Sequence, residues 1–121
     1  MEVAEQRAIL IVEDEPSVRV LLERVLVRSG HAVVGCATPE DALVDRGAFK
    51  LAIVDYSLPG LDGLSLIGKL RLRQPDLPVI LCSGLPMNPP AFHPPVCYLQ
   101  KPYRLLQIVE MVSLATAAGS R

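Results

Sequence analysis

The 121-residue chain has no excess of either charge: twelve Lys and Arg face thirteen Asp and Glu, for a net charge of -1. With acids and bases interspersed, there is no electrostatic footprint for a nucleic-acid partner. No apolar run approaches the roughly 20 residues of a membrane span. The opening MEVAEQR carries none of the features of a secretory leader. The expectation is a cytoplasmic protein without membrane contact. Cysteine is sparse, and Cys36, Cys82 and Cys97 stand apart with no CxxC and no neighbouring ligand histidine. Cys82 and Cys97 fall in strand-like runs, so buried thiols are expected rather than a metal site or a disulfide. His31 and His93 have no partner at ligand spacing, which argues against a metal role for either. There is no internal repeat, linker or low-complexity tail. At this length a single domain over 1–121 is expected, with a core of about 7–118.

What the sequence does have is five short apolar runs: AILIV at 8–12, AVVGC at 32–36, LAIV at 51–54, PVILC at 78–82 and VCYL at 96–99. Most are continuous rather than alternating, as expected of strands covered on both faces. Helical patterns separate the first four. Val18, Leu21, Leu22, Val25 and Leu26 form one stripe at helical spacing, and Gly30 ends it. A second helix starts at TPED, with Thr38 as cap, Pro39 in the first turn and Asp41 completing a capping box. A third covers about 63–74, with Leu64, Leu66, Ile67 and Leu70 inward, and stops before Pro75. A last one covers about 104–117 and buries Leu105, Ile108, Val109, Val112 and Ala115. Such alternation with short connections predicts an α/β fold with a parallel sheet, right-handed crossovers and helices on both faces. The segment GLPMNPPAFHPP at 84–95 breaks the pattern. Five of its twelve residues are proline, which cannot sustain a helix interior, so no helix longer than one turn is expected in 86–95. The sheet there needs another cover, for which Leu85, Met87 and Phe92 are the candidates.

In an open α/β sheet, ligands bind beyond the carboxyl ends of the strands. The first run ends in Glu13-Asp14-Glu15, the third in Asp55, the fourth in Ser83-Gly84 and the fifth in Gln100-Lys101-Pro102. Each alone is an ordinary turn or cap. Together, carboxylates from two strand ends repel one another unless a cation sits between them. Oxygen-only ligands at an open mouth suit Mg²⁺. A lysine and a hydroxyl opposite them supply the positive charge and the donor that a transferred phosphoryl group needs. Asp55 is then the natural nucleophile, forming an acyl phosphate.

These motifs together resemble the receiver domains of two-component response regulators. The pieces are ILIVEDE with its acidic pair, IVDYSLPGLDG as D-x-x-L-P-G-x-x-G, PVILCSG with a hydroxyl at Ser83, and YLQKPY with its Lys-Pro. The resemblance implies a flavodoxin-like doubly wound five-stranded sheet of order 2-1-3-4-5. It makes Asp55 the phosphoacceptor and Asp14 a direct Mg²⁺ ligand. Glu13, where Asp is commoner, would act through water, and the backbone carbonyl of Ser57 would complete the metal shell. Ser83 and Lys101 would hold phosphoryl oxygens, Ser83 and Tyr98 would form the switch, and the Lys101-Pro102 bond would be cis. The proline-rich 84–95 departs from the family, whose fourth helix is here expected to be absent or reduced. The implied partner is a histidine kinase or a histidine phosphotransfer protein. The chain is expected to be a stand-alone receiver, a relay intermediate or phosphate sink, or a domain excised from a hybrid kinase; it catalyses only its own phosphorylation and dephosphorylation, and is not otherwise an enzyme. Two other readings are a Mg²⁺-dependent aspartyl-phosphate phosphohydrolase and a scaffold that is never phosphorylated. The hydrolase usually has a second aspartate two positions after the nucleophile, where this chain has Ser57.

Overall fold

A computed structural model of the chain describes residues 7–45, 47–86 and 91–119. Strand β1 (Ala8–Val12) leads into α1 (Pro16–Arg28), then β2 (Val33–Cys36) and α2 (Pro39–Val44). Strand β3 (Phe49–Asp55), α3 (Gly63–Arg73) and β4 (Val79–Ser83) follow, and β5 (Cys97–Gln100) with α4 (Leu105–Gly119) completes the set. All four strand pairings are parallel, in the order β2-β1-β3-β4-β5. This is the topology anticipated from the sequence, and it puts the carboxyl ends of β1, β3, β4 and β5 along one edge.

The strands alternate their side chains between two apolar layers. Leu10, Val12, Ala52, Val54, Val79 and Leu81 face α2 and α3. Ile9, Ile11, Leu51, Ile53, Ile80 and Cys82 face α1 and α4, where Leu22, Leu26, Ile108 and Val112 meet them. Both faces of the central strands are therefore buried, which is why the runs read as continuous.

The helix ends follow from local chemistry. The Thr38 hydroxyl accepts from the Asp41 amide at 3.1 Å, and the Asp62 carboxylate accepts from Ser65 at 2.8 Å, each occupying an orphan donor. Past the end of α1, Gly30 takes a left-handed φ of 95°. Strand β3 begins two residues earlier than its apolar run. The Gln74 side-chain amide causes this by pairing with both the N–H and the C=O of Phe49 at 2.9 Å, in the place of a neighbouring strand.

Among the described residues no helix lies between β4 and β5, as the prolines dictate. Met87, Pro89 and Pro90 lie outside those residues. Phe92 and Val96 pack on the α3 side of the core as its cover. Leu85, a candidate for that role, instead stands 64% exposed, because its backbone is held at the strand end by Ser83. Arg71 of α3 ties the segment down. Its Nε and one terminal nitrogen donate to the Leu77 carbonyl at 3.1 and 2.8 Å, and the other donates to Pro94 at 2.6 Å. Its guanidinium carbon lies 5.8 Å from the Phe92 ring centroid, within cation–π reach. Among the described residues two X-Pro bonds are cis, Lys101-Pro102 as anticipated and His93-Pro94 as not. Cys36 and Cys82 are buried, but Cys97 is exposed, since it opens the edge strand β5 below the packed region.

Candidate functional site

Three carboxylates meet at the carboxyl edge of the sheet. Glu13 follows β1 and is 4% exposed, Asp55 ends β3 at 6%, and Asp14 stands exposed beside them. One oxygen of each lies within 4.8 Å of the others. Opposite them Lys101, just past β5, places Nζ 3.0 Å from Asp55 Oδ1 and 3.5 Å from Glu13 Oε1. The other Glu13 oxygen accepts from the Glu15 amide at 3.1 Å. The parallel sheet makes this convergence possible: Tyr56 N–H donates to Cys82, and Lys101 N–H donates to Ser83, locking the strand ends in register.

The turn behind Asp55 is held as closely. Gly63 donates its N–H to the Tyr56 carbonyl at 2.9 Å. A Cβ on Gly63 would fall 2.6 Å from the Asp55 carbonyl oxygen and 2.9 Å from Tyr56 Cα, so α3 approaches the acid only because no side chain intervenes. Gly60, with φ of 86°, turns the chain between them. The spacing from Asp55 to Gly63 is thus set by backbone contact.

Electrostatically the site is loaded. Burial pushes the Asp55 carboxyl above its ordinary range, and Asp14 pushes the same way, against the opposing pull of Lys101. Burial also raises Glu13, helped by Asp55 and opposed by the Glu15 amide and Lys101. For Lys101, burial acts to lower its value, but the contacts with Asp55 and Glu13 prevail and raise it. The one lysine does not neutralise three acids. An all-oxygen donor set, without imidazole or thiolate, fits a hard divalent cation such as Mg²⁺.

Ser83 is buried beside the cluster, and its hydroxyl donates to the Leu85 carbonyl at 3.2 Å while accepting from the Leu85 amide at 3.1 Å. The Tyr98 hydroxyl donates to the same Leu85 carbonyl. Ser57 lies exposed in the turn after Asp55.

Residues 9–113 match the response regulator receiver domain family. The chain belongs to it. This receiver is 41% identical to the response regulator protein FleR of Pseudomonas aeruginosa over 78 residues, covering 63% of this chain and 16% of that one. It spans 31% of the transcriptional regulatory protein TcrA of Mycobacterium tuberculosis, so it corresponds to a minor part of these curated relatives. Its fold superposes on the response regulator TrrA of Thermotoga maritima, solved in complex with Mg²⁺ and BeF, with a TM-score of 0.81 and 27% identity. That match covers 90% of this chain and 98% of that one. The receiver domain of NtrX from Brucella abortus gives 0.78 and 29%, with the same coverage.

Of the site residues singled out in the sequence, Glu13, Asp14, Asp55 and Lys101 come together, while the side chains of Ser83 and Tyr98 meet at Leu85. Sequence reasoning missed Arg19 of α1, whose Nη1 donates to the Glu13 carbonyl at 2.7 Å. Leu21, a member of the apolar stripe of α1, is 48% exposed and lines an apolar groove of about 620 Å³. Val18, Leu22, Tyr103 and Leu105 share the groove, which ends at Lys101 and Gly84. Leu21 sits at the edge of its stripe, where helical periodicity does not distinguish core from rim.

Proposed function

We propose that this receiver is a phosphoacceptor: the Asp55 carboxylate takes a phosphoryl group from a phosphohistidine. An Asp55 oxygen forms the new O–P bond, the N–P bond to the donor histidine breaks, and the imidazole keeps the electron pair and picks up a proton. Lys101 moves with the charge. Its Nζ, now on Asp55 Oδ1, is placed to follow negative charge onto the phosphoryl oxygens, with the Ser83 hydroxyl as a second donor. Asp14, Asp55 and the Ser57 carbonyl would hold Mg²⁺, with Glu13 acting through water; when bound, the ion neutralises the acids and the incoming phosphoryl charge. TrrA's complex with Mg²⁺ and BeF supports this assignment by likeness. The single observation that carries the reading is Lys101 paired with Asp55 at 3.0 Å inside a three-carboxylate cluster.

The donor is a histidine kinase or a histidine phosphotransfer protein. Such a donor must bring phosphorus to Asp55, so it must cover the surface around the site, and the groove ending at Lys101 is the apolar part of that surface. Among the described residues no helix is long and apolar enough to cross a membrane. An ATP-charged donor places the exchange in the cytoplasm.

Acetyl phosphate with Mg²⁺ tests the reading. One phosphate, about 80 Da by intact mass, is expected on the wild type and none on Asp55→Asn. Phosphate on Asp55→Asn refutes the assignment. No labelling of the wild type favours a non-phosphorylated scaffold, and steady turnover of many phosphate esters favours a hydrolase.

A further inference from the structure

Glu13 and Asp14 are supported in different ways. The Glu13 carboxylate is held by the Glu15 amide and by Lys101. Asp14 is exposed, and among the described residues no hydrogen bond or ion pair holds its carboxylate. Its aim is therefore set by its own backbone. The peptide joining Glu13 to Asp14 is planar, so the Glu13 carbonyl and the Asp14 nitrogen and Cα turn together. Two contacts fix that segment: the Glu13 N–H donates to the Cys36 carbonyl at 3.0 Å, and the Glu13 carbonyl accepts from Arg19 Nη1 at 2.7 Å. The first belongs to the sheet ladder. The second is a reach back from one turn into α1, and among the described residues no carboxylate lies within ion-pair distance of that guanidinium. The charge of Arg19 is directed at a carbonyl.

We propose that Arg19 is a positioning residue for the divalent cation, clamping the Glu13–Asp14 peptide so that the Asp14 carboxylate is aimed into the cluster before the ion arrives. The proposal rests on the reading that Asp14 and Asp55 hold Mg²⁺, with Glu13 acting through water. Charge and positioning predict opposite signs. A guanidinium this near a cation site repels the ion, so by charge alone its removal tightens Mg²⁺ binding. Positioning gives the opposite outcome, since the ordered carboxylate is lost.

Isothermal titration with Mg²⁺ alone decides between them, using wild type, Arg19→Ala and Arg19→Lys, each checked for folding by thermal unfolding in metal-free buffer. Arg19→Ala is expected to weaken Mg²⁺ binding by roughly tenfold, the scale of lost support around a metal ligand. Arg19→Lys, which keeps a donor, should fall between it and wild type. At saturating Mg²⁺, acetyl phosphate labelling of Arg19→Ala should return toward the wild-type rate, separating affinity from chemistry. Equal or tighter Mg²⁺ binding by folded Arg19→Ala overturns the proposal. If Arg19→Ala does not fold, the comparison passes to Arg19→Lys, whose binding as tight as wild type overturns the proposal in the same way. A wild type that binds no Mg²⁺ overturns the phosphoacceptor reading itself, a result distinct from a wild type that binds and a variant that binds equally well.

Discussion

On one face of the sheet, α1 and α4 lay long apolar stripes over Ile9, Ile11, Leu51, Ile53 and Ile80. On the other, α2 has six residues and α3 eleven, and Phe92 and Val96 from an irregular segment join the cover. A helix satisfies its own backbone, so it covers a sheet without further polar partners. An irregular segment brings carbonyls that need donors. Arg71 answers that need with one hydrogen bond to the Pro94 carbonyl, anchors itself with two more on the Leu77 carbonyl ahead of β4, and lays its planar group over the Phe92 ring. Where the chain's prolines forbid a helix, a single long side chain does part of the fastening.

If the helical face is a conventional packed core, its cavities should be costly. Ile108→Ala, at a fully buried position, is expected to lose about 3 kcal/mol by urea unfolding. A loss under about 1 kcal/mol would mean that α4 is loosely docked. On the other face the damage should centre on the fastening. Arg71→Ala leaves the Leu77 and Pro94 carbonyls without their charged donor and is expected to cost about 2 kcal/mol. The sharper readout is local: amide exchange should accelerate at residues 91–96 and stay unchanged in α4. Equal acceleration in both places would erase the distinction between the faces.

The strand mouths offer the smallest effect and a sign to check. Glu13 has its folded pKa raised above 4.5, by burial first, so the folded protein binds that proton more tightly than the unfolded chain. Its charge therefore costs stability at neutral pH, and the cost is relieved as pH falls toward the raised value. In metal-free buffer, wild type should gain stability relative to Glu13→Gln between pH 7 and pH 5. A relative loss would show that the Lys101 contact outweighs burial.

Much of this is legible in the sequence, for identifiable reasons. Continuous apolar runs reveal doubly covered strands, and proline punctuates without ambiguity, so the topology can be read, as can the absence of a helix between β4 and β5 among the described residues. Asp55, Lys101, Glu13 and Asp14 can be found because strand ends are where an α/β sheet gathers its chemistry. What stays hidden depends on long-range side-chain reach. Arg71, Arg19 and Gln74 each serve backbone groups, and nothing in their local pattern says which carbonyl or amide they meet. Cys97 misleads because an apolar residue at the end of a strand carries the same local pattern as one in its middle, and Leu85 because the Ser83 hydroxyl that holds its backbone leaves no mark in the sequence.

The Glu13–Lys101 contact joins positions 88 residues apart in the chain. It forms only when β5 has docked on β4, which has itself docked on β3. A chain emerging from the ribosome can thus display Asp55, Glu13 and Asp14 long before the lysine arrives. During that interval the carboxylates repel one another and lack the positive charge that Lys101 brings to them. The completed cluster therefore doubles as a report that β5 has docked, since a chain without that last strand cannot bring Lys101 to Asp55.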